Sequence, residues 1–224
     1  ARGRRRSGWS GPWHGRLTAV GHYFDEEPDV ASDPVDIDVV LPDVAFAIAT
    51  DRGVFGRGRL DRGTALLLRS TEVLPPTGDL LDLGCGAGPI AIAAAKRSPG
   101  MTVWAIDPNA RARALTAANA ARNGCDNVRV VAPDDVPDDL VIDRLWSNPP
   151  IRIGKDALHE LLDRWFGRLA PDGTATLVVQ RHLGADSLQR RLTDRGWPTE
   201  RVASRGGFRV LRSQRAGSTA IRSR

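Results

Sequence analysis

The sequence predicts an α/β protein: a doubly wound, mostly parallel sheet of seven strands, with a C-terminal antiparallel hairpin and a small β extension in front. Three observations carry this. From residue 80 onward, short apolar runs alternate with stretches of helical period, the rhythm of successive strand–helix units. A glycine cluster, "LDLGCGAGPIAIA", stands where the first of these strands hands over to its helix. The last two apolar runs are separated by Gly206-Gly207, a hairpin signal.

Taken in order, "VDIDVVL" (35–41) alternates apolar and acidic residues, and "VAFAIAT" (44–50) follows across Pro42-Asp43. They read as a small hairpin or a pair of edge strands. Residues 51–63 are a glycine-punctuated loop, and "TALLLRSTEVL" is helical. "LLDL" (80–83) is a strand, "AGPIAIAAAKRS" a helix, "MTVWAID" (101–107) a strand, and "ARARALTAANAARNG" a helix stopped by Gly124. "NVRVVA" (127–132) and "DLVIDRLWS" (139–147) are strands. "KDALHELLDRWFGRLA" is an amphipathic helix closed by Pro171-Asp172-Gly173, "TATLVVQ" a strand and "ADSLQRRLTDRG" a helix. "RVAS" and "FRVLRS" make the final hairpin. The sequence shows no internal repeat.

At 224 residues the chain suits one sizeable domain. Residues 21–213 are expected to form it, with a β extension over 21–62 and a ligand-binding core over 63–213. A basic, disordered arm (1–20) precedes it and a basic tail (214–224) follows. No apolar run approaches a membrane span of roughly 20 residues, and the arginine-rich start lacks the apolar stretch of a secretory signal. Two cysteines, Cys85 and Cys125, are too few for a disulfide framework or a zinc site. The expectation is a reduced, cytoplasmic protein without a metal, with a monomer favoured. The net charge of +5 is unevenly spread. Residues 1–6 hold four arginines and residues 201–224 seven, with no acid in either segment, which leaves 21 basic against 27 acidic residues between them. An acidic body with basic ends suits contact with a phosphate backbone.

The chemistry begins at the glycine turn. Gly84, Gly86 and Gly88 follow the G-x-G-x-G spacing, where a tight turn lets backbone approach a nucleoside-type ligand. A dinucleotide fingerprint wants its third glycine one place later, at Pro89, so the spacing favours S-adenosylmethionine over NAD. Cys85 lies within the turn. Asp82, just before it, is placed for the ligand's ammonium group. Asp107, roughly 20 residues beyond, is placed for the ribose hydroxyls, with Asn109 assisting. Asp134, after the third strand, is placed for an adenine amine.

"WSNPPIRIGK" (146–155) ends an apolar run on Asn148-Pro149-Pro150. An amine conjugated to a ring has a delocalised, poorly directed lone pair. Two acceptors can hold both N–H bonds and aim that lone pair at an electrophilic methyl group. The Asn148 side-chain carbonyl and the Pro149 backbone carbonyl are the expected pair. The prolines fix φ and remove competing donors, at the carboxyl edge where ligands bind in such sheets. No strong general base is evident.

"HYFDEEPDVAS", "GVFGRGRLDRGTALLL", "LDLGCGAGPIAIA", "AIDPNARA", "SNPPIRIGK" and "RGGFRVLRS" together resemble the small-domain class I methyltransferases of the 16S ribosomal RNA guanine-N2 type. The resemblance covers about residues 21–213 and is nearest to compact single-domain members. It implies a Rossmann-like sheet and S-adenosylmethionine-dependent methylation of a guanine amine in ribosomal RNA or the small ribosomal subunit. It also implies that Phe55 to Thr64 fold over the cofactor. Many amino-methylating relatives place an aromatic residue after the two prolines, for stacking on the base. Ile151 stands there instead, followed by Arg152, whose planar guanidinium can stack or bind phosphate. Phe55, Arg205 and Arg209 complete the candidate substrate contacts. His22-Tyr23-Phe24 is read as an aromatic plug, and Asn119 and Asn123 as serving the end of their helix. Two rival functions stand beside this one: methylation of a protein glutamine amide, and a non-catalytic binder of S-adenosylmethionine or another nucleoside.

Overall fold

The computed structural model describes residues 30–216; the expectations for the arm, for His22-Tyr23-Phe24 and for the end of the tail lie outside them. The chain begins with β1 (Val35–Val40) and β2 (Ala45–Thr50), paired antiparallel as a separate two-stranded sheet. Helix α1 (Arg62–Ser70) then leads into the main sheet. This is built from β3 (Gly78–Leu83), β4 (Met101–Ile106), β5 (Val128–Val131), β6 (Ile142–Ser147), β7 (Leu169–Gln180), β8 (Thr199–Arg205) and β9 (Phe208–Gln214). The intervening helices are α2 (Pro89–Arg97), α3 (Ala110–Arg122), α4 (Lys155–Phe166) and α5 (Ala185–Asp194). The strand order is β5-β4-β3-β6-β7-β9-β8, parallel up to β7 and antiparallel thereafter.

Period-2 alternation explains why both faces of the sheet are covered. Leu80, Trp146, Val178 and Val210 point to one face, against α1, α2, α3 and the N-terminal hairpin. Leu81, Leu145, Leu177 and Leu211, their chain neighbours, point to the other face, against α4 and α5. All eight are fully buried. Both cysteines are buried free thiols. No helix among the described residues is long and apolar enough to cross a membrane.

Of the boundaries that differ from expectation, three have a local cause. Helix α1 begins at Arg62 rather than Thr64, because Asp61 caps it by accepting from the Thr64 N–H at 2.9 Å. Helix α4 stops at Phe166, not Ala170: Gly167 ends it, and Leu169 already pairs with Ile142 in the sheet. Strand β6 starts at Ile142, since the Leu140 N–H turns back to the Pro137 carbonyl.

The helix-end expectation holds for Asn123, which is the C-cap of α3 and donates to the Asn119 carbonyl at 2.8 Å, and needs correcting for Asn119. The Asn119 amide accepts from the Ala49 N–H and donates to the Ala49 and Ala87 carbonyls, at 2.8, 2.8 and 2.9 Å. Asn123 donates to the Ala47 carbonyl. These side chains finish the open edge of β2 and so fasten the small hairpin to α3 and to the glycine turn.

Candidate active site

Three chain segments meet at the carboxyl edge of β3, β4 and β6. The hydroxyl of Ser147 donates to the Leu83 carbonyl at 2.6 Å, and the Gly84 and Cys85 N–H groups both bond the Ile106 carbonyl. The ends of these strands, and therefore the glycine turn, Asp107 and Asn148, are thus held side by side.

Gly84, Gly86 and Gly88 have φ of 81°, 57° and 85°, a region that side chains with a Cβ avoid. They differ in what surrounds them. A Cβ on Gly88 would press on Thr116 at 2.9 Å, whereas one on Gly84 would meet nothing within 4 Å. The first is a packing requirement; the second leaves open space beside the turn. Thr116, fully buried, buttresses the turn by donating to the Gly86 carbonyl at 2.9 Å. Cys85 is buried within it, and burial pushes its thiol well up.

The Asp107 carboxylate accepts from the Gly86 N–H at 3.0 Å and the Asn109 N–H at 2.9 Å. Burial pushes its acid constant up to about 6, against the pull of those two hydrogen bonds and of Arg113. Asp82 is tied to the scaffold through one oxygen only. It is fully buried beneath α2, accepts from the Ala91 N–H at 3.0 Å, and leaves Oδ1 without a partner. Burial, first, and the neighbouring Asp107 push it up to about 8. Asn109 is corrected from ligand contact to scaffold. It caps α3 through the Arg111 and Ala112 N–H groups, donates to the Gly53 carbonyl, and is wholly buried. Asp134 is ion-paired with Arg164 of α4 at 3.3 Å and does not border the cleft described next.

A shallow, open cleft lies between the small hairpin, the loop after it and the first turn of α2. Phe55, Gly56, Asp61, Thr64, Ala87 and Pro89 are among its lining residues. The loop lies across the glycine turn, since a Cβ on Gly86 would come within 3.8 Å of the Phe55 carbonyl. Asn148 reaches the same cleft wall: its Nδ2 donates to Asp61 Oδ2 and to Thr64 Oγ1, each at 3.0 Å. Both donors of the amide point into the protein, and Oδ1 is left as acceptor. The Pro149 carbonyl already accepts from the Ile151 N–H at 2.8 Å, which leaves one lone pair.

Of the substrate candidates, Phe55 is 53% exposed at the cleft mouth. Ile151 and Arg152 lie in a 3₁₀ turn right after the prolines, and Ile151 packs in part against the core under α4. Arg205 is exposed at the hairpin tip. Arg209 is withdrawn from that role: it is largely buried and ion-paired with Asp186. Sequence reading missed Asp61 and Thr116. The pattern "LDRGT", an acid three residues before a threonine at a helix start, was the available signal for Asp61.

The residues present fit S-adenosylmethionine. Open space beside Gly84, a carboxylate at the end of the neighbouring strand and a buried Asp82 oxygen with no partner are features a functional site retains. A model of the methyltransferase small domain family matches residues 45–212. A Bacillus subtilis relative, the uncharacterized protein YbxB, is 31% identical over 87% of this chain and 98% of its own. The ribosomal RNA small subunit methyltransferase C of Pseudomonas aeruginosa is 34% identical over 85% of this chain, which spans 57% of that protein. A solved structure of the T. thermophilus 16S rRNA N2 G1207 methyltransferase, in complex with AdoMet and guanosine, superposes with a TM-score of 0.70 at 19% identity. The match covers 84% of this chain and 52% of that one. The chain belongs to the methyltransferase small domain family, as a class I methyltransferase that uses S-adenosylmethionine.

Proposed function

We propose that this methyltransferase acts on the exocyclic amine of guanine, at N2, in small-subunit ribosomal RNA. The observation that carries the reading is the Asn148 amide, whose two donors are held by Asp61 and Thr64 so that its carbonyl oxygen stays free. That oxygen and the remaining lone pair of the Pro149 carbonyl are two acceptors for the two N–H bonds of a planar amine. When bound, S-adenosylmethionine supplies an electrophilic sulfonium methyl. The protein's contribution is alignment, to roughly 3–3.5 Å between reacting atoms, and stabilisation of the positive charge that develops on nitrogen. With Ile151 in place of an aromatic residue, Phe55 at the cleft mouth is the ring available for stacking on the base.

Ribosomal RNA is favoured by charge. Arg59, Arg62, Arg181 and Arg205 are all exposed, and none has an ion-pair partner among the described residues. They border one edge. Arg62 follows Asp61, which bonds Asn148. Arg181 follows β7, and its N–H donates to the Gly207 carbonyl at 2.8 Å. Arg205 pairs with Phe208 beside that turn. The name of the Pseudomonas relative, ribosomal RNA small subunit methyltransferase C, supports the same substrate class.

The test is transfer of a tritiated methyl group to small ribosomal subunits and to free RNA, followed by nucleoside analysis. The label is expected in N2-methylguanosine, and Asn148→Ala is expected to abolish it while S-adenosylmethionine affinity stays unchanged. Label in the protein fraction, or full turnover by Asn148→Ala, would overturn the reading.

A further inference from the structure

We propose, on the reading of Asn148 given above, that Asp61 is a positioning residue whose Oδ2, an oxygen that only accepts, decides which way the Asn148 amide points. The two ends of an asparagine amide have nearly the same shape, so packing alone does not choose between the two orientations. Their surroundings do. An ionised carboxylate only accepts hydrogen bonds. With Asp61 Oδ2 at 3.0 Å, the NH₂ end must face it. The flipped amide would lose that bond and set two oxygens against each other. Thr64 cannot make the choice alone, because a hydroxyl can donate or accept. Its Oγ1 lies 3.5 Å from the same carboxylate oxygen, so its proton is drawn toward Asp61 and its lone pair toward Asn148.

Asp61 is itself held rigidly. It caps α1 through the Thr64 N–H at 2.9 Å, where the helix dipole favours a negative charge. Behind it, Gly63 leaves no room: a Cβ there would meet Asp61 Oδ2 at 2.9 Å and the Phe208 ring at 2.8 Å. The chain Phe208–Gly63–Asp61–Asn148 therefore links the terminal hairpin to the amide. This assigns a task to the "LDRGT" stretch that helix capping alone does not exhaust. A cap needs only an oxygen, and serine caps as well as aspartate, but a serine hydroxyl can donate or accept. Orienting Asn148 needs an oxygen that only accepts, and the same Oδ2 takes both the Thr64 N–H and the Asn148 amide.

The test uses Asp61→Ser in the full chain, beside wild type, Asn148→Ala and Thr64→Ser. The first readout needs no substrate: the side-chain NH₂ resonances of Asn148 in ¹⁵N-labelled protein, assigned by their loss in Asn148→Ala. In wild type and Thr64→Ser they are expected as one well-resolved pair. In Asp61→Ser they are expected to shift and broaden or double, as the acceptor that chooses between the amide orientations is lost. The second readout is turnover on small-subunit RNA. Asp61→Ser is expected to lower kcat roughly tenfold to a hundredfold, the scale of a misplaced reacting group. Thermal midpoint and S-adenosylmethionine affinity should hold, because serine keeps the cap. Unchanged Asn148 resonances in Asp61→Ser would overturn the proposal, whatever the RNA assay gives. So would a joint loss of thermal midpoint and cofactor affinity, which marks a structural cap. If wild type transfers no methyl to RNA, the substrate reading fails, and the resonances still decide the role of Asp61.

Discussion

Asp107 accepts two backbone N–H groups while buried, with an acid constant raised to about 6. To take two ribose hydroxyls as well it must be ionised. Cofactor affinity is therefore expected to be level above pH 7 and to fall about tenfold for each pH unit below 6. Asp107→Asn should remove the pH dependence and weaken binding by about 1–3 kcal/mol, the worth of hydrogen bonds to a charged group. Titration calorimetry from pH 5 to 8 reads both, and a flat wild-type profile would take Asp107 out of the ribose contact. For the ligand-free fold the sense is opposite. Asp107 is raised above its ordinary value of 3.8, so the stability it confers is complete below 3.8 and is lost as pH rises through about 6. Local sequence made the places of Asp107 and the three glycines legible, because those places follow from spacing along one strand–turn–helix unit. The positions of Asn109 and Asp61 were not legible in the same way. Asn109 competes with Asp107 for the helix cap two residues away, and Asp61 acts on a partner 87 positions along the chain.

At the scale of elements, the strand–helix alternation foretold the sheet, since each parallel strand buried on both faces reads as a short apolar run. It did not foretell how the small hairpin is moored. Strands β1 and β2 satisfy each other on one side only, and a two-stranded hairpin is marginal alone. Its other edge ends on Asn119, a buried amide inside an otherwise ordinary helix, and nothing local marks such a residue. Asn119→Ala would leave the Ala49 N–H and the Ala49 and Ala87 carbonyls without partners. A cost of about 3 kcal/mol is expected from buried unpaired groups, or roughly 6–12 °C in thermal midpoint for a chain of this size. Asn119→Asp should fail similarly, since a carboxylate cannot donate to two carbonyls. A melt unchanged in both variants would show that water or a neighbour replaces the amide.

Over the whole molecule, charge is sorted by position rather than balanced. Residues 7–200 carry an acidic excess, yet many carboxylates away from the site are already spent. Asp33 holds Arg52 and Arg57, Asp163 holds Arg191 and Arg195, and Glu72 holds Arg144 and Arg212. At the carboxyl edge the guanidinium groups of Arg59, Arg62, Arg181 and Arg205 are left over, around a cleft whose Asp61 is committed to Asn148. An edge of this kind is positive toward an approaching polyanion even where the body is not. Each phosphate contact made by such a group releases counterions, which steepens the fall of affinity with salt by about 0.7 per contact on single strands. Replacing all four by alanine is expected to reduce the slope of log K against log salt for small-subunit RNA by about 3. Replacing Arg129, exposed near the amino end of β5, should leave the slope where it was. The fourfold variant keeps Asn148 and the cofactor turn, so its kcat at saturating RNA should stay near wild type while KM rises. Equal slopes for the fourfold variant and wild type would remove the carboxyl edge as the RNA-facing surface and leave the basic ends of the chain as the remaining source of phosphate contact.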